Sequence, residues 1–117
     1  MYVDGFVMPV RKDRLEEYRA LAEKSAQAWK RHGALTYVEC VADDVQPGKL
    51  TSFPQAVDLQ EGEVVVFAWI TSPSRADRDR ANAAVMEEPW MQAMQPEDMP
   101  FDTQRMIWGG FQALLQA

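Results

Sequence analysis

EVVVFAWI, residues Glu63 to Ile70, is the stretch that decides the fold. Its β-branched and aromatic side chains run on without polar alternation, so it reads as a strand that carries apolar material on both faces. Both faces then need cover, and the flanking segments must supply it. Downstream, Ser74-Arg75-Ala76-Asp77 follows Pro73 with capping-box spacing and predicts a helix through Ala83, Ala84 and Met86 to about Glu88. Pro89 ends or restarts that helix. Trp90, Met91 and Met94 fit a short helical turn, Pro96 and Pro100 break the chain, and Arg105 to Leu114 reads as the last strand.

Upstream, Asp43 to Glu63 holds Pro47-Gly48 and Pro54 and is too long for a hairpin turn. It predicts an irregular excursion with a short edge strand near Phe53 to Leu59. Ala34 to Ala42 alternates Leu35, Tyr37, Glu39 and Val41 against Thr36, Val38 and Cys40, which is a strand. Before it, Asp13-Arg14-Leu15-Glu16 has the spacing of a capping box, and Leu15, Tyr18, Leu21 or Ala22, Ser25 or Ala26, and Trp29 form one helical stripe that Gly33 terminates. Tyr2 to Val10 is the first strand, with Tyr2, Asp4, Phe6 and Met8 on one face and Val3, Gly5 and Val7 on the other.

The order strand, helix, strand, strand, helix, strand predicts an α+β, ferredoxin-like βαββαβ domain spanning residues 1–117, its antiparallel sheet carrying both helices on one face. Two helices leave the second face bare, although the strands point large apolar residues toward it. A second copy presenting the same face would bury both in one symmetric step. The expectation is a homodimer formed sheet to sheet.

Composition narrows the function classes. Eighteen acidic against twelve basic side chains leave a net charge of -6, which repels nucleic acid and offers no counterion-releasing surface. No stretch approaches the ~20 apolar residues of a membrane span, and the N-terminal MYVDGFVMPV lacks the basic-then-apolar pattern of a leader, so a cytoplasmic location is expected. Cys40 is the single cysteine and His32 the single histidine. Disulfides, thiol-based metal clusters and paired-histidine motifs are therefore absent from the sequence, and no metal or other cofactor is expected.

Several pieces together carry a resemblance: YVDGFV, GAL followed by VEC, VVFAWI running into SPS, RDRAN, and MPFDTQRMIWGGF, Met99 to Phe111. The chain resembles the bacterial family called domain of unknown function 1428, the YbaA-like proteins, over nearly its whole length. That resemblance implies the dimeric α+β barrel arrangement, in which ferredoxin-like domains pair through their sheets. It implies no reaction and assigns no catalytic residue.

Candidate chemistry rests on a few polar groups. Asp4 and Glu39 sit among apolar neighbours on strands, where an ionised carboxylate needs a partner or water, and where burial can raise its pKa into the range for proton transfer. Asp102 and Arg105 lie three apart just before the last strand. They read as a turn-stabilising ion pair, or as an acid and a guanidinium at a pocket mouth. Trp69 and Trp108 read first as core or interface and second as walls of an aromatic ligand pocket. His32 fits a helix C-terminus, where it can bond exposed carbonyls, and Cys40 fits a small buried apolar position. The methionines suit irregular, adaptable packing. Two function classes remain: a small-molecule binder or cofactor-independent enzyme, and a non-catalytic structural or regulatory homodimer that acts through protein partners.

Overall fold

The computed structural model describes all 117 residues. Four strands, β1 (Tyr2–Arg11), β2 (Thr36–Val41), β3 (Glu63–Ser72) and β4 (Ile107–Gln112), form one antiparallel sheet in the order β2-β3-β1-β4. Helix α1 (Leu15–Arg31) joins β1 to β2, a short helix α2 (Phe53–Ala56) lies between β2 and β3, and α3 (Arg75–Met86) with the one-turn α4 (Pro89–Gln92) lies between β3 and β4. This is the βαββαβ order with a short added helix. The central pair, β1 and β3, matches residue for residue from Tyr2 opposite Ser72 to Arg11 opposite Glu63.

The register sorts side chains between the two faces. Glu39, Ala68, Phe6 and Trp108 form one cross-sheet row, and Tyr37, Ile70, Asp4 and Gly110 form the next on the same face. This face lies under α1 and α3, and its main cluster is Met8, Val10 and Val66 of the sheet with Tyr18 and Ala22 of α1. Val10 and Val66 are fully enclosed, so each contributes roughly 1.5–3 kcal/mol of apolar burial. Rows of the opposite face are Val38, Trp69, Gly5 and Gly109, then Cys40, Phe67, Val7 and Ile107.

Part of that opposite face is covered by the chain itself. The edge strand expected near Phe53 to Leu59 is instead α2, started by Ser52, whose Oγ accepts from the Gln55 amide at 3.2 Å, and by Pro54 in the first turn. Those two residues favour a helix start over a strand. Val57, just past α2, packs with Val7 and Val65 and is 1% exposed. Phe53 meets Phe67 edge-on at 5.9 Å. Phe67, Ile107 and Phe111 remain exposed beyond this patch.

The start of α1 also departs from the sequence reading. Asp13 does not cap it: Arg11 holds the Asp13 carboxylate with two bonds of 2.9 and 2.8 Å, and a 3₁₀ turn over Lys12–Arg14 leads into α1 with Arg14 at the cap position. A bidentate charge-assisted pair outcompetes one amide for the same oxygens. At α3 the cap forms as expected, since Ser74 Oγ accepts from the Asp77 amide at 3.1 Å and donates to its carboxylate at 2.8 Å. Gly33 ends α1 in the left-handed region at φ 108°. The last strand is shorter than expected, and Arg105 lies before it in a turn. Cys40 is exposed on the edge strand β2 and does not occupy the buried apolar position expected of it.

Candidate functional site

A cavity of about 310 Å³ lies between α1, α3 and the sheet. Sixteen of its twenty lining residues are hydrophobic, and six of the seven methionines are among them: Met8, Met86, Met91, Met94, Met99 and Met106. Ala22 and Ala68, small residues on the facing surfaces of α1 and β3, leave the space open. Met86 and Trp108 line it and are 49% and 60% exposed, so the opening lies between the end of α3 and β4. Phe101, pinned to β1 by a bridge to Val10 and edge-on to Tyr18 at 5.8 Å, closes another side.

Glu39 is the polar centre of this cavity. It points from β2 under α1, where the Tyr18 hydroxyl donates to one carboxylate oxygen at 2.6 Å and the Tyr37 hydroxyl to the other at 2.9 Å. Burial pushes the Glu39 carboxyl above its ordinary value, and the two hydroxyl donors oppose that shift without cancelling it. Both phenols are raised far above the ordinary tyrosine value, first by burial and then by the adjacent carboxylate. They stay protonated as donors. The arrangement can bind a hydroxyl or carbonyl group, and Glu39 can exchange a proton with it.

Asp4 lines the same cavity from β1 and is 3% exposed. Arg78 of α3 balances it, with Nε 3.7 Å from Asp4 Oδ2, while Nη2 donates to the Tyr2 hydroxyl at 2.9 Å. Asp79 Oδ1 stands 3.3 Å from the same Nε, outside hydrogen-bonding geometry. Asp4 Oδ1 and Arg78 Nε are both buried and both without a hydrogen-bond partner. Burial raises the Asp4 carboxyl, Arg78 lowers it and Asp79 raises it. Gly110 makes the approach possible, since a Cβ there would lie 2.4 Å from the Tyr2 hydroxyl and 2.7 Å from Arg78 Nη2. The adjacent Gly109 on the other face has only the Phe111 ring nearby, at 3.6 Å.

The other sequence candidates lie elsewhere. Arg105 grips Glu63 with two bonds of 2.8 and 2.6 Å, bonds Asp102 at 2.9 Å, and donates to the carbonyls of Val57 and Asp58 at 3.3 and 2.9 Å. These contacts hold Glu63 and Asp102 below the ordinary carboxylate range, and Arg105 itself is raised by Glu63 first and Asp102 second. The guanidinium thus clips the α2 excursion to the turn before β4, and neither Asp102 nor Arg105 lines the cavity. Trp69 and Trp108 occupy rows on opposite faces, so they cannot flank one ligand. His32 bonds Glu88 at 2.8 Å beside Arg31, rather than helix carbonyls. Tyr18, Tyr37 and Arg78 were missed as polar site residues. The signal available was that Tyr37 shares Glu39's face and Tyr18 lies on α1's inward stripe.

Residues 1–103 match the family described as "Protein of unknown function (DUF1428)". The chain belongs to this family. Relatives named "Uncharacterized protein YbaA" in Escherichia coli strain K12 and in Shigella flexneri are 49% identical over 114 residues, covering 97% of each chain. The fold is similar to that of an uncharacterized NIPSNAP domain protein from Burkholderia xenovorans, at TM-score 0.56 and 11% identity over 100% of this chain and 99% of the other. It is also similar to Rv0793 from Mycobacterium tuberculosis, at TM-score 0.52, 18% identity and the same coverage. At such identities the likeness concerns the fold alone. Both carboxylates of the cavity lie inside the family match, whereas Trp108 and Gly110 lie beyond it. No helix is long and apolar enough to cross a membrane.

Proposed function

We propose that this DUF1428 protein binds a small, largely apolar molecule between its helices and its sheet, with Glu39 and its two tyrosines as the polar anchor. The observation that carries the reading is an apolar cavity of about 310 Å³ with a single Glu–Tyr–Tyr cluster inside it. That is the usual form of a ligand site: apolar walls for affinity and a few placed polar groups for orientation. Flexible methionine walls suit a site that adapts to its ligand. Titrating naphthalene into the protein while following tryptophan emission tests it, because Trp29 and Trp108 line the cavity. Saturable quenching is expected, and it should vanish in Ala22→Phe, which fills the space. Equal binding by a folded Ala22→Phe protein refutes the site.

The open sheet face supports a second, compatible reading, a homodimer formed through the sheets. Phe67, Ile107 and Phe111 stay exposed on that face, at 40%, 46% and 64%. Large apolar side chains left exposed on one sheet face mark an interface, and a self-complementary face closes as a two-fold pair. Light scattering should give twice the chain mass for the wild type and a lower mass for Phe111→Glu. A monomeric wild type at tens of micromolar refutes it.

A further inference from the structure

We infer that the cavity is selective for an uncharged molecule bearing a hydroxyl group, which Asp4 receives; this rests on the ligand-site reading above. Two independent features of the wall point there. The first is charge: the lining includes the acids Asp4 and Glu39 and no lysine, arginine or histidine. An anionic ligand, whether carboxylate or phosphate, would enter an apolar space with nothing cationic facing it, beside two acids. The second is an unmet bond. Asp4 Oδ1 is an acceptor enclosed away from bulk water, and no protein donor reaches it.

The ion pair behind Asp4 narrows the choice among donors. Arg78, shared with the more exposed Asp79, already offsets the buried Asp4 charge, and a neutral donor loses far less hydration than an ammonium on entering an apolar space. Of the two unpartnered atoms of the pair, Asp4 Oδ1 and Arg78 Nε, only the first belongs to a residue that lines the cavity, so the bond left open to a ligand is to an acceptor. A hydroxyl is the smallest uncharged organic group that donates a strong hydrogen bond to a carboxylate. Size follows from the space, which at ~30 Å³ per water corresponds to roughly ten waters, or a two-ring molecule of similar bulk. Sheet geometry separates the two poles: Asp4 and Glu39 are two strands apart and two residues out of step, so their backbones are about 12 Å apart. A two-ring body spans the distance between them over Ala68 and Ile70 of β3, with its hydroxyl at the Asp4 end.

Three probes of one shape test this: 2-naphthol, naphthalene and 2-naphthoate, titrated by calorimetry into the wild type and into the double variant Asp4→Leu/Arg78→Met. The double variant replaces both halves of the pair, so neither charge is stranded. Wild type should bind 2-naphthol about tenfold more tightly than naphthalene and at least about tenfold more tightly than 2-naphthoate. In the double variant the advantage of 2-naphthol over naphthalene should collapse to within about twofold. Equal affinity for 2-naphthol and naphthalene in the wild type overturns the proposal, and would mean that an internal water satisfies Asp4. A preference that survives in the double variant, or 2-naphthoate binding as tightly as 2-naphthol, also overturns it. Should the double variant not fold, Asp4→Asn reads the same preference, which should fall at least about threefold, and an unchanged preference is again refutation. Failure of all three probes to bind the wild type overturns the cavity reading itself, and this inference with it.

Discussion

Replacing Arg105 with methionine separates a structural clip from a ligand contact, because the side chain keeps its length and apolar stem and loses every polar bond. In the folded chain the guanidinium meets Glu63, Asp102 and the carbonyls of Val57 and Asp58, and its side chain is 19% exposed against 10% for Glu63. Removing one partner of a buried pair costs about 3–5 kcal/mol. The partial exposure of Arg105 reduces that to about 2–4 kcal/mol, since water can reach part of the stranded carboxylate. At about 4 °C per kcal/mol for a domain of this length, the melting temperature should fall by roughly 8–16 °C. Urea unfolding at fixed protein concentration measures it.

The pH dependence supplies the check. Arg105 holds the folded Glu63 below its ordinary 4.5, so the stabilisation is fully present above that value and is lost as the pH falls through the folded value. The gap between wild type and Arg105→Met should therefore be widest near neutral pH and shrink in acid, while naphthalene binding by the folded variant stays unchanged. A loss under about 1 kcal/mol, or a gap that widens in acid, refutes the clip. Binding lost with stability intact would move Arg105 into the ligand site.

Glu39→Gln tests the opposite sign. Burial raises the folded carboxyl above 4.5, so wild-type stability from this group is present in acid and lost as the pH climbs from the unfolded value through the folded one. The variant should gain on the wild type between pH 5 and pH 8 in thermal melts, and the reverse trend contradicts the assignment. Gly110→Ala should cost about 1 kcal/mol by parting the Tyr2 and Arg78 side-chain ends, whereas Gly109→Ala should stay within about 0.5 kcal/mol. Equal effects at the two glycines would contradict the faces assigned to β4.

Much of the architecture was legible locally. The all-apolar run at Glu63–Ile70, the inward stripe of α1, the left-handed Gly33 and the Ser74 cap each depend on neighbours a few residues away, so spacing alone specifies them. Asp13 failed for the same local reason in reverse, since Arg11 competes for its carboxylate from two residues away and capping patterns do not weigh such rivals. In the excursion, Ser52 and Pro54 carry a helix-start signal at the point where an edge strand is expected to begin.

The site divides along the same line. The sequence by itself determined that Asp4 and Glu39 are carboxylates on the apolar faces of strands, because strand alternation depends only on residue parity. It could not pair Glu39 with Tyr18, twenty-one residues away, or Asp4 with Arg78, seventy-four residues away, nor seal Arg105 against Glu63 instead of opening it to a ligand. Nor could it place Trp69 and Trp108 on opposite faces, since that depends on how β3 and β4 each register against β1. Those choices belong to the tertiary structure. A carboxylate's partner, burial and proton affinity are set by whatever the fold brings within a few ångströms, and sequence separation places no limit on that neighbour.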